Sequence, residues 1–154
     1  MFGAEWLASE HVRIVEQTLE EGVEGLLSAV LVEHQSDDRS LVTFFPVQIP
    51  EVYKERIGVF GAIGVDLAKK NMRPLAVSFT SETWMRIEGT DRAEGIVITS
   101  SDYLGSRVCF CARITRVRSN IIKVGEFERL EPLVDNLTSE VFKGFNEWQK
   151  ANSN

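Results

Sequence analysis

Histidine and cysteine, the side chains that most often carry metal and nucleophilic chemistry, are scarce in this 154-residue chain, with two of each. Cys109 and Cys111 lie two apart in VCFCA. That is too few for a disulfide framework, and the second pair of a structural zinc site is missing. On a strand both point to one face and read as small buried hydrophobes. There is no H-E-x-x-H helix, no G-x-S-x-G elbow and no GK[ST] after a glycine loop. No run approaches the roughly 20 apolar residues of a membrane helix. MFGAEWLASEH lacks the basic start and apolar stretch of a signal peptide. The expectation is a cytoplasmic protein with no membrane contact and no cofactor.

Positive charge is missing from one end. Residues 1–38 hold nine acids against one base, Arg13, whereas residues 107–129 hold six bases against two acids, on a chain of net charge −6. Overall acidity disfavours nucleic acid as a partner, because phosphate affinity comes from Lys and Arg. The separated acidic and basic regions favour pairing with a protein, a second copy included.

What is present is ordinary globular composition, 44% hydrophobic and 26% charged, at a length that suits one domain, residues 1–154. Leu7, His11, Ile14, Val15 and Leu19 form one stripe of a helix over 4–21. Strands follow over 26–34 and 41–49, joined by the turn QSDDRS, with Pro46 marking an edge, a bulge or a strand end. A second helix over 51–71 contains Gly58, Gly61 and Gly64, which read as close packing of its backbone onto the sheet. Strands over 74–87, 94–103, 107–117 and 121–131 with short links predict an antiparallel meander. A helix over 135–150 and a frayed tail at 151–154 close the chain. The order α-β-β-α-β-β-β-β-α predicts an α+β domain whose sheet is mixed but mostly antiparallel, covered by helices.

Candidate chemistry centres on SFTSETWMRIEGTDRAEGIVITSSD, residues 78–102. One face of the first strand there runs Ser78, Thr80, Glu82, Trp84, Arg86, changing from small to charged as the strand leaves its cover. If the next strand folds back so that Thr99 and Ser101 share that face, Glu82 gains hydroxyl partners. It could then act as a general base, its carboxyl lifted by Trp84. The simpler reading leaves Glu82 where sheet meets water. Glu33, His34 and Asp37 in EHQSDD offer an alternative metal cluster, although a solvated acidic turn is the better account. For binding, Trp84, Arg86, Arg113, Arg116 and Arg118 are the candidates. Arg113 shares a face with the cysteines, and Arg116 and Arg118 share the other with Phe110. A single aromatic makes a poor stacking platform for nucleic acid, and cross-strand pairing with Glu94, Glu126 or Glu128 competes for the arginines.

Two resemblances accompany these residues. The element order is similar to the JAB/MPN metalloprotease-like fold, whose active members carry a glutamate, an H-x-H pair and an S-x-x-D segment. VLVEHQ supplies a glutamate, but the chain has no H-x-H, so the resemblance implies at most an inactive relative. Residues 73–102, with VSFTSETWM and RAEGIVITSSD, resemble small uncharacterised prokaryotic and phage proteins that pair an E-A-W-M-like strand end with an R-x-E-hydrophobic strand. Thr83 replaces the expected alanine, and the link lacks a proline. That group carries no assigned activity. The expectation is therefore a non-enzymatic accessory or interaction domain that self-associates or meets another protein. A small hydrolase using Glu82 or the Glu33 cluster is the alternative, and nucleic-acid binding through residues 107–118 the weaker one.

Overall fold

The computed structural model describes residues 2–21, 29–48, 50, 52–86, 92–117, 120–131 and 137–153. Its elements are α1 (Gly3–Glu20), β1 (Ala29–Ser36), β2 (Arg39–Pro46), α2 (Tyr53–Lys69), β3 (Arg73–Arg86), β4 (Arg92–Asp102), β5 (Arg107–Val117), β6 (Asn120–Val124), β7 (Glu128–Leu130) and α3 (Leu137–Asn152). The result is one α+β domain built on a single sheet of order β2-β1-β3-β4-β5-β6, with β7 also pairing β5. No helix among the described residues is long and apolar enough to cross a membrane.

β2 and β3 run in the same direction, as a helical crossover requires, but β1 lies between them. Each described pairing is therefore antiparallel. The sheet was expected to be mixed but mostly antiparallel; its two parallel strands joined through α2, β2 and β3, are separated by β1, so they form no parallel pair.

Helices cover both faces. α1 lies across β3, β4 and β5, while α2 packs chiefly on α3, which sits against β3. The centre of the sheet is covered on both sides, and every residue from Pro74 to Thr80 is buried. On the α1 side Ala4, Ala8 and Val15 meet Ile96, Ile98, Val108 and Ile114. On the other side Phe60, Ile63 and Leu67 of α2 join Val141 and Phe145 of α3 over Val30, Val32, Val77 and Phe79.

The glycines of α2 serve a helix rather than the sheet. A Cβ on Gly64 would run into backbone atoms of Val141 and Phe145, and one on Gly144 into backbone of Gly61, so α2 and α3 cross at backbone contact. Gly58 faces open space.

The strand expected over 121–131 is two. Between the pairs Ile114↔Val124 and Cys111↔Glu128, β5 spends two residues and the opposing chain three. This extra residue is a bulge, fastened by the Gly125 N–H to the Arg113 carbonyl at 2.7 Å. α3 continues two residues past its expected end, to Asn152.

Candidate functional site

Glu82 sits where β3 emerges from beneath α1: Ser78 and Thr80 are buried, Glu82 is exposed. Its carboxylate accepts from Arg116 Nη2 at 2.5 Å, and Arg116 Nε donates to Glu94 at 2.8 Å. One guanidinium on β5 thus ties β3 to β4, using the carboxylate a general base would need. The hydroxyls expected beside it are elsewhere. Register places Glu82 opposite Ile96, Phe79 opposite Thr99 and Val77 opposite Ser101. Thr99 and Ser101 therefore project to the α2/α3 face, since a shift of one residue reverses a strand's faces. There Ser101 Oγ lies 2.6 Å from Thr138 Oγ1, a buried link from β4 to α3. Thr99 lies 3.9 Å from the Cys109 sulfur.

The arginines are divided in the same way. Arg113 is exposed on the face of the cysteines, whereas Arg116 lies on the opposite face within its carboxylate pair. Arg129 pairs with Glu5 on α1 at 2.8 Å. The side chains of Trp84 and Arg86, and Arg118 altogether, lie outside the described residues. Cys109 and Cys111 are free thiols, each pushed above its ordinary pKa first by burial. On the α3 side, the Arg73 guanidinium lies 5.9 Å over the Tyr103 ring at a shallow pocket completed by Phe142, Phe145 and Asn146.

Glu33, His34 and Asp37 do not converge. Glu33 and His34 are consecutive in β1 and point to opposite faces, and Asp37 lies on the hairpin turn with φ +55°. Among the described residues no three of His, Cys, Asp and Glu are grouped to hold a metal ion. Glu33 has a different task. It is fully buried, and its two carboxylate oxygens accept the N–H groups of Phe2 (2.8 Å) and Gly3 (3.0 Å). No side chain of α1's own caps that helix, so a strand residue supplies the anion that the N-terminus attracts. Gly3 adopts φ +88°, which lets the chain enter the helix directly over this carboxylate. Glu33→Ala is expected to lose about 2 kcal/mol in urea unfolding, because two charge-assisted bonds vanish and the buried Gly3 N–H is left without its acceptor. An unchanged midpoint would remove Glu33 from this role.

His34 is buried, with Nε2 2.7 Å from Thr43 Oγ1 and no partner at Nδ1 among the described residues; burial lowers its pKa. His11, expected on the apolar stripe of α1, is buried between two hydroxyls of β3, Nδ1 at 2.8 Å from Ser78 and Nε2 at 2.5 Å from Thr80.

The surface that sequence reasoning left unremarked is the outer edge of β2. No described strand pairs with it, which is the edge position Pro46 allowed for. Leu41, Val42 and Phe44 are 47%, 43% and 46% exposed. Phe44 lies opposite Leu31, against which Trp6 packs, and Trp6 stacks on exposed Phe2 with ring centroids 4.3 Å apart. The available signal was charge: SLVTFFPVQIP, residues 40–50, contains no ionisable side chain in a chain that is 26% charged. Compared with protein-family models, curated proteins and solved structures, the chain matches none.

Proposed function

We propose that the chain is a non-catalytic interaction domain that self-associates, and that its working surface is the outer edge of β2 with the apolar residues beside it. The uncharged, apolar character of that edge carries the reading. Sheet edges in monomeric proteins are ordinarily blunted by charge, by inward lysines or by a covering segment, because a bare row of N–H and C=O groups pairs with whatever strand arrives. From Ser40 to Phe45 this strand has none of the charges that would repel a partner strand. Its three large exposed side chains suit strand addition, in which main-chain bonds give affinity and alternate side chains give specificity.

The alternatives draw less support. A hydrolase built on Glu82 lacks the hydroxyls on its own face, and one built on Glu33 would have to release the cap of α1. Nucleic-acid binding would need Arg113 and Arg116 on one side of the sheet.

A photo-reactive side chain placed at Leu41 in cells is expected to form a discrete protein adduct that Val42→Lys abolishes. The same group at exposed Lys150 should form none. If Leu41 gives no edge-dependent adduct, the interaction reading fails.

A further inference from the structure

We infer that the strand accepted by the β2 edge is β2 of a second copy, paired antiparallel about a two-fold axis at Thr43, so that two sheets join into one. This rests on the interaction-domain reading and names its partner.

Backbone geometry decides which residues can pair. Ser36 and Arg39 close a two-residue turn, and the closing pair of such a hairpin exchanges hydrogen bonds. Alternating from there, Leu41, Thr43 and Phe45 aim their N–H and C=O groups at β1, and Ser40, Val42 and Phe44 aim theirs outward. Pro46 falls in the outward set, where its missing N–H costs the hairpin nothing.

A two-fold axis then has few choices, because outward residues must meet outward residues. With the axis at Thr43, Val42 faces Phe44 of the second copy, and Leu41 faces its Phe45. Every large apolar side chain of the strand, on either face of the sheet, thereby gains an apolar partner. An axis at Val42 would set Leu41 against Thr43 and Phe44 against Ser40. An axis at Phe44 would set Val42 against Pro46, which has no N–H to give, leaving Phe44 with Phe44 as the one complete outward pair. The Thr43 register puts Pro46 against Ser40 at the ladder ends and keeps two complete pairs.

Charge selects the same partner. Arg39 is the only charged residue of β2. In the Thr43 register it falls opposite Val47, so the two arginines lie at opposite ends of the joined strands. The neutral strip lets two copies of a chain of net charge −6 approach without like charges in contact. The strand's alternating pattern is thus its own complement, as an isologous interface requires.

The test is sedimentation of the intact chain over about 1 to 300 μM, combined with cysteine cross-linking in a Cys111→Ala background. The wild type is expected to dimerise. Val42→Lys and Phe44→Lys, both at exposed positions, should each raise the dimer Kd by about 100-fold with the circular dichroism spectrum unchanged. Mixed Val42→Cys and Phe44→Cys chains should cross-link to each other far more than either does to itself. A wild type monomeric throughout would overturn the second-copy inference. The interaction reading would then rest on the Leu41 adduct, whose partner would be a different protein. A dimer indifferent to both lysines would place the interface elsewhere, and cross-linking of Val42→Cys chiefly to itself would overturn the Thr43 register.

Discussion

Gly64→Ala is expected to destabilise the protein by about 3 kcal/mol or more, although alanine is the better helix former. The added methyl would come within 2.7 Å of the Phe145 nitrogen and 2.9 Å of the Val141 carbonyl carbon, with the Val141 oxygen closer still. These are backbone atoms of α3, so no side chain can swing aside, and the helices must separate. Phe60, Ile63, Leu67, Val141 and Phe145 share the core at this crossing and would lose contact together. Gly144→Ala meets the Gly61 backbone and tests the crossing from the other side. Gly58→Ala is the control. With nothing within 4 Å of its added methyl, it should gain about 1 kcal/mol from helix propensity alone. Urea midpoints of the three variants decide the matter. If Gly64→Ala were as stable as Gly58→Ala, the backbone contact between α2 and α3 would not exist.

These glycines also show what could be read from the sequence. Their spacing announced a close approach that was read as one onto the sheet and is one onto α3, because Gly144 lies some 80 residues away and carries no mark of its own. The stripe of α1 and the order of the elements were legible, since helical periodicity is local. So was the face of each residue within β3, including Glu82 at the limit of cover. Register was not. Period two fixes which residues share a face and leaves open which strand lies opposite and in what phase. Glu82 with Thr99 and Ser101 looked like a site in one phase and is none in the other. The Glu94–Arg116 pair was among the partners expected, because opposite charges on neighbouring strands need only rough alignment. Glu33 misled for a different reason. Beside His34 and an acidic turn it resembled a metal ligand, while its real partners are the main-chain N–H groups of Phe2 and Gly3, which no side-chain pattern reveals.

Stability is expected to fall as acid reaches His11, by about 3 kcal/mol in full and about 2 kcal/mol of it by pH 5. Burial disfavours the imidazolium and lowers the pKa of His11 from 6.5 to about 4. The hydroxyls of Ser78 and Thr80 can accept as well as donate, so they do not themselves forbid the charged form; the loss of water does. Because the folded pKa lies below the unfolded one, the unfolded chain takes up the proton first. The stabilising contribution is complete above pH 6.5, declines as pH drops from 6.5 towards 4, and is gone below that. Buried His34 acts in the same direction. The informative quantity is therefore the difference between wild type and His11→Gln, which keeps an amide between the two hydroxyls and cannot titrate. Wild type should lose about 2 kcal/mol more than His11→Gln between pH 7 and pH 5 in urea unfolding. Parallel curves would mean that His11 is hydrated in the folded protein and that α1 does not seal it against β3. A steeper wild-type curve would mean that acid loosens the helix whose first turn carries Phe2 and Trp6, beside the edge where a second copy is expected to pair. Self-association should then weaken over the same pH range in wild type and hold in His11→Gln.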